Sequence, residues 1–265
     1  MSLQSLAKTM LFLIVAFAMF GLSECGDRFP NYHYKMTVYI GDAAFSSVRS
    51  VEVNEGLSIV DSGGTTVRRR VEGEAVAIDF SNDQTVYALL SPPDNPDYPQ
   101  FVAGMALAPH VPREAPLTDV GRAVAEWRKD NTPQDSFRDA AEGLQAMVKI
   151  QGPRNLPKTL PARRGREPMK AWPMFVTFSN PKDQATVREV SPGSIGVTRI
   201  TIEITDEEVT NRLEQRFPAS FWEAWEARRK QNIRDRGGFM NPGDNSYFNS
   251  LTGRLSKGNF ISRSE

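Results

Sequence analysis

The sequence predicts an α+β fold, a predominantly antiparallel β-sheet of about six or seven strands with a helical-hairpin insertion and two C-terminal helices. Three observations carry this expectation. Two runs rich in β-branched and aromatic residues, Glu74 to Phe80 and Thr85 to Leu90, flank the turn-forming cluster Ser81, Asn82, Asp83 and Gln84, which is the pattern of a β-hairpin. The run VTRITIEIT over 197–205 alternates strictly, with Val197, Arg199, Thr201, Glu203 and Thr205 on one face and Thr198, Ile200, Ile202 and Ile204 on the other. Helical spacing recurs in a helical pair in the middle of the chain, after which the sheet resumes, and again in two helices near the end.

At 265 residues, 40% of them apolar, the chain is long enough to bury one sizeable core. Its 32 basic and 32 acidic residues balance, and residues 1–24 contain one of each, Lys8 and Glu24, so the balance survives their removal. A neutral chain argues against nucleic-acid binding, whose affinity comes from a basic face attracting phosphates. No cofactor is expected.

The N-terminus reads as a targeting signal. Lys8 precedes 13 uncharged apolar or small residues, MLFLIVAFAMFGL, from Met10 to Leu22. A spanning helix needs about 20 apolar residues and a signal-peptide core roughly 7 to 15, so residues 1–24 are expected to be a signal peptide. The following Leu22, Ser23, Glu24, Cys25 resembles the bacterial lipobox, with Glu24 where that pattern has a small residue. Cys25 is the only cysteine, so it forms no disulfide within the chain. Lipid attachment at Cys25 is the preferred fate; cleavage after Ser23 and an uncleaved anchor are the alternatives.

Residues 25–31 form a short polar tether, and a single α+β domain is expected over 32–217. In 34–40, Tyr34, Met36, Val38 and Ile40 share one face of a half-buried strand. Gly41 to Ala43 turn the chain into a second strand over 46–53, where Val48, Val51 and Val53 break strict alternation as a bulge would. Three consecutive arginines, Arg68, Arg69 and Arg70, must point to both faces of the next strand, so at least one is expected to pair with acids such as Glu72 or Glu74. In the hairpin, Val76, Ile78 and Phe80 oppose Ala75, Ala77 and Asp79. Its second strand is apolar on both faces, placing the hairpin in the middle of a sheet covered by helices. Four prolines within residues 91–99 end this part in a stiff loop, whose Asp94, Asn95 and Asp97 lack the spacing of a calcium loop.

A helical insertion is expected over 117–149. Val120, Val124 and Trp127 recur at helical spacing, as do Phe137, Ala140, Ala141, Leu144 and Met147 behind Thr132 and Pro133. Residues 150–171 read as a basic, Pro-rich linker. From Lys149 to Lys170 there are four prolines and seven basic residues against one acid, Glu167, a composition that favours mobility and attraction to anionic lipid or a cell-wall polymer. Strands are expected again over 172–178, 186–190 and 197–205. The pair Thr205 and Glu208 has the form of a capping box opening a short helix with Val209, Leu213 and Phe217, and Ser220 with Glu223 opens a C-terminal amphipathic helix over 218–236. Phe221, Trp222 and Trp225 form its apolar face, suited to the sheet or to a membrane surface. The Gly, Asn and Ser-rich remainder, 237–265, is expected to be loosely ordered.

The segments 32–38, 73–80 with 86–90, 172–178, 187–192 and 198–210 together resemble a family of uncharacterised alphaproteobacterial envelope lipoproteins. The most specific pieces are Gly73, Glu74, Ala75 and Val76, then Pro173, Met174, Phe175 and Val176, then Ile200 to Glu207. The resemblance implies an exported, lipid-anchored domain and supplies no catalytic residues. Departures are Ser191 in place of a common aspartate, Glu208 in place of a common proline, and the long tail after Phe217.

Enzyme signatures are sparse. The two histidines, His33 and His110, have no paired metal-ligand spacing around them, and neither a nucleophile elbow nor a phosphate loop is present. The expected function is that of an exported, lipid-anchored envelope protein, a non-enzymatic interaction or structural module tethered to the membrane by Cys25 and facing the periplasm. The alternative is a periplasmic hydrolase-like enzyme with a carboxylate site built from Asp79, Glu203 and Asp206, since acids distant in sequence meet in space.

Overall fold

The computed structural model describes residues 29–57, 65–108, 141–160, 168–234 and 250–263. The fold is α+β, with mostly antiparallel strands. In chain order the strands are β1 (Tyr32–Ile40), β2 (Ala43–Leu57), β3 (Thr65–Glu74), β4 (Val76–Asp79), β5 (Thr85–Ala88), β6 (Arg154–Asn155), β7 (Thr159–Leu160), β8 (Met169–Lys170), β9 (Phe175–Phe178), β10 (Val187–Val190), β11 (Val197–Thr205) and β12 (Ile261–Ser262). The helices with defined bounds are α1 (Tyr98–Leu107), α2 (Leu213–Arg216), α3 (Ala219–Arg234) and α4 (Leu251–Arg254), and residues 141–147 are also helical.

The strands divide between two principal sheets. The larger has the order β12-β3-β2-β1-β11-β6, the smaller β10-β9-β5-β4, and β7 pairs with β8 alone. At the centre of the larger sheet the expected alternation is realised. Tyr34, Met36 and Val38 on β1 are fully buried and oppose Ile204, Ile202 and Ile200 on β11. On the other side of β1 they oppose Arg49, Ser47 and Phe45 of β2.

The hairpin comes out differently from the expectation of a single central element. Val71 and Gly73 belong to β3 in the larger sheet, whereas Val76 begins β4 at the edge of the smaller one. The chain changes sheet across Ala75. Gly73 makes this corner possible: its φ is +150°, and a Cβ there would lie 2.7 Å from Cγ of Arg49. Asp83, at φ 59°, sits in the left-handed conformation that the β4–β5 turn requires and that aspartate tolerates.

The smaller sheet is covered on both faces, which explains the doubly apolar pattern of its strands. Val86, Ala88, Leu90 and Phe175 face the main core, together with the larger sheet and α1. Tyr87, Leu89, Val176 and Phe178 face a second core with α2, α3 and the C-terminal segment. Phe221, Trp222 and Trp225 of α3 are therefore packed into the fold. Phe178 and Phe217 meet at 5.6 Å between ring centroids, and Trp222 stacks on Trp225 at 5.8 Å.

Several expectations are corrected. The second strand runs over Ala43–Leu57 rather than 46–53, because β3 gives it a partner along its extra length. Helix α1 was not anticipated: the prolines before it are read as loop, yet Pro99 occupies its first turn, where a missing N–H costs nothing. Parts of the basic linker are built into the fold. β6 extends the larger sheet, Leu156 is buried, and the Leu156 N–H donates to the Ile200 carbonyl at 2.8 Å. The Thr205–Glu208 pair opens no helix. The Thr205 hydroxyl accepts from the Glu207 N–H, and α2 starts only at Leu213. Helix α3 begins at Ala219, so Ser220 already lies in its first turn. The tail is not loose over 250–263: β12 pairs with β3, and Leu255, Phe260 and Ile261 are buried.

Of the helical insertion, only the end lies within the described residues. There Ala141, Leu144 and Met147 are buried at the expected spacing. Val120, Val124, Trp127, Phe137 and Ala140 lie outside the described residues, as do the signal peptide, Cys25 and His110.

Gly73→Ala is expected to lower the free energy of unfolding by about 2–4 kcal/mol, through strained dihedrals and displacement of a buried side chain. Chemical denaturation of the mature chain measures this, and a loss under about 0.5 kcal/mol would show that the corner accepts a side chain.

Candidate functional site

Two places in the fold concentrate chemistry: a buried polar junction at the sheet corner, and a cleft beside it. At the junction, the Glu74 carboxylate is buried and accepts from the backbone N–H groups of Arg212 at 3.1 Å and Leu213 at 2.9 Å, capping α2 across 138 and 139 residues of sequence. Its carbonyl accepts from the Ser47 hydroxyl at 3.1 Å and from Nε of Arg49 at 3.3 Å. Arg263, in the C-terminal segment, stands 3.9 Å from the carboxylate and also donates to the Thr210 carbonyl. Glu74 is thus not the acid, of the two named as candidates, that answers the arginines of β3. Instead Arg68 and Arg70 are exposed, while Arg69 points to the other face and stacks over Phe101 at 5.0 Å.

Arg49 is wholly buried. Its guanidinium lies 5.8 Å from the centroid of the Tyr34 ring, and among the described residues neither Nη1 nor Nη2 has an acceptor within hydrogen-bond distance. The Tyr34 hydroxyl donates to the Pro99 carbonyl at 2.9 Å, and the Tyr98 hydroxyl to the Ala171 carbonyl at 3.0 Å. Burial drives both tyrosine pKa values above the ordinary phenol range, opposed in part by the positive charge of Arg49.

The cleft, about 650 Å³, lies between the proline loop, the start of α1, β8 and the strands β9 and β10. Tyr98, Trp172, Met174 and Phe175 supply apolar wall, and Pro92, Pro173 and Pro192 stiffen it. The indole N–H of Trp172 is spent on the Leu156 carbonyl at 2.9 Å. Trp172 therefore offers the cleft a ring and no donor. Lys158 lies 5.0 Å from that ring, a cation–π pair, and Lys170 and the exposed Met169 also line the cleft. Asp94 and Glu189 are its acids. The basic linker thus contributes Lys158, Met169 and Lys170 to one wall.

Of the three acids of the alternative carboxylate site, Asp79 stands in the smaller sheet, and Glu203 and Asp206 lie on and just after β11 of the larger. Asp79 ends β4 in the smaller sheet, where both its oxygens accept from Arg216 at 2.6 Å and one accepts from the Thr85 hydroxyl at 2.8 Å. This bidentate bond to Arg216, followed by that of Thr85, holds the Asp79 carboxyl below the usual carboxylate range. Glu203 lies on β11 opposite Lys35 of the larger sheet. Asp206 follows that strand and lines a shallow depression with Tyr32, His33, Glu52 and Glu72. His33 itself bonds through Nδ1 to the Glu207 carbonyl at 2.9 Å, and Lys35 pairs with the Glu207 carboxylate. Among the described residues no group of three or more His, Cys, Asp or Glu side chains could hold a metal ion, and no helix is long and apolar enough to cross a membrane.

Sequence reasoning did not single out Arg49, Tyr98 or Trp172 as functional candidates. An arginine inside a valine-rich strand, VRSVEV, is the one local signal that pointed to a buried cation. Comparison of the chain with protein-family models, curated proteins and solved structures finds no match.

The Asp79–Arg216 pair has a defined pH signature. A carboxyl with a depressed folded pKa contributes stability above its unfolded pKa of about 3.9 and loses it as pH falls through the folded value. Wild type is expected to exceed Asp79→Asn by under about 1 kcal/mol near pH 6, since the pair is largely exposed. That difference should shrink steadily below pH of about 4, and a pH-independent difference in denaturation midpoints would remove the pair from the account.

Proposed function

We propose that this chain is an exported bacterial envelope protein, tethered by a lipid on Cys25 and facing the periplasm, and that it acts as a non-enzymatic interaction module through the cleft walled by Trp172. The observation that carries the binding role is the convergence of Lys158, Met169 and Lys170 on one 650 Å³ cleft with Tyr98, Trp172 and Phe175. Apolar rings whose polar tips are already bonded supply contact area without a desolvation penalty, and the two lysines of the linker wall favour a ligand that sets a negative group against that wall, with Asp94 and Glu189 balancing them over the cleft as a whole. Anionic lipid headgroups and anionic cell-wall polymers share that chemistry and lie where an exported, tethered domain would meet them. The tether rests on the 13-residue apolar core before Cys25 and on the lipobox-like residues Leu22 to Cys25.

Two measurements test this reading. Intact mass of the mature protein is expected to show acylated Cys25, and Cys25→Ser should release the chain from membranes into the soluble fraction. With the tether removed in that way, sedimentation with envelope fragments reports the cleft alone. Lys158→Glu with Lys170→Glu, both exposed, is expected to lower the sedimenting fraction severalfold while leaving the thermal midpoint within about 2 °C, as surface substitutions do. Unchanged sedimentation would take the ligand role from the cleft, and an unmodified Cys25 would take the tether from the proposal.

A further inference from the structure

The structure assigns Arg49 a bound counter-ion: we infer that a small monovalent anion such as chloride is held against its guanidinium inside the core, at the corner where the two sheets meet. The inference is independent of the cleft and its ligand.

Four observations lead to it. Arg49 has no exposed surface, and among the described residues its Nη1 and Nη2 meet no acceptor within hydrogen-bond distance. Among the described residues its Nε donates to the Glu74 carbonyl at 3.3 Å, which supplies a dipole and no charge. The nearby acid, Glu74, directs its carboxylate to the N–H groups of Arg212 and Leu213 and toward Arg263. The tyrosines beside the guanidinium, Tyr34 and Tyr98, donate their hydroxyl hydrogens to the Pro99 and Ala171 carbonyls and are held neutral by burial, so the Tyr34 oxygen can offer the guanidinium a lone pair and no charge.

A guanidinium does not shed its proton to escape burial, as a lysine or histidine would. Two terminal nitrogens carry four N–H donors, and burying them uncompensated costs several kcal/mol. The fold nevertheless packs tightly around this side chain, since the absent Cβ of Gly73 is what leaves room for its Cγ. The chemistry that fits is compact and singly negative. It accepts from both Nη groups and neutralises one charge.

The test uses the mature wild-type chain and Arg49→Met, which replaces the cation by an apolar side chain of related length, a change that buried charges tolerate well. Unfolding is followed in chloride, bromide or gluconate at one ionic strength and one pH. In wild type, each tenfold rise in chloride or bromide above half-saturation is expected to raise the folding equilibrium constant about tenfold, and gluconate to do nothing. Arg49→Met is expected to be indifferent to the choice of anion. Equal stability of wild type in all three salts would overturn the inference and leave ordered water as the partner. An Arg49→Met that kept the halide response would move the site elsewhere. Should that variant fail to fold, wild-type crystals grown in bromide decide: an anomalous peak within hydrogen-bonding distance of Nη1 or Nη2 supports the site, and none there overturns it.

Discussion

The corner formed by Gly73, Glu74 and Ala75 is the constraint on which the other parts depend. One chain passes there from the larger sheet to the smaller, and its polar groups are answered by residues from three remote stretches. The Glu74 carboxylate fixes the start of α2, the Glu74 carbonyl holds Ser47 and Arg49 of β2, and the Ala75 N–H donates to the Phe260 carbonyl at 2.7 Å. A buried carboxylate is tolerable only when its acceptor sites are filled. Glu74 therefore ties the position of α2 and the C-terminal segment to the bend itself.

That tie explains why the smaller sheet can be apolar on both faces without exposing either. One face meets the larger sheet and α1; the other would be open but for α2, α3 and residues 251–261. The aromatic density of the second core, with Tyr87, Phe178, Phe217, Phe221, Trp222, Trp225 and Phe260 in mutual contact, follows from covering a four-stranded sheet with a few short elements. Large rings supply the area that short elements lack. The cleft is bounded on one side by β8, whose strand partner is β7, and on another by β9 and β10.

Much of the strand inventory was legible locally. The alternations at Tyr34 to Val38 and at 197–205, the turn after Phe80 and the doubly covered pattern of Val86 to Leu90 reflect side-chain period and turn chemistry, which act over a few residues. The aromatic stripe of α3 was legible as well. The candidate cleft was hardly legible, because Tyr98, Lys158, Trp172 and Glu189 come from four segments that no local pattern connects. The basic composition of the linker was visible, yet composition says nothing of the two residues, Arg154 and Asn155, that pair with β11, or of Leu156 that anchors them. The apparent capping box at Thr205 failed for a related reason: the α2 cap came from Glu74, and a distant carboxylate satisfied N–H groups that the local motif was expected to serve.

By itself, then, the sequence determined the fold class, the principal strands, the aromatic face of α3, and the expectation of an exported chain with a single chemically distinctive residue, Cys25. These are properties of local pattern, in which each residue's preference depends on its near neighbours. Only the tertiary structure decided that the strands split into two sheets at Gly73, that the C-terminal segment closes the second core, and that Arg49 lies buried with its terminal nitrogens unanswered. These depend on where hydrogen-bond partners and apolar area are found across tens of residues at Arg49 and more than a hundred at the C-terminal closure, at distances over which sequence spacing carries no information.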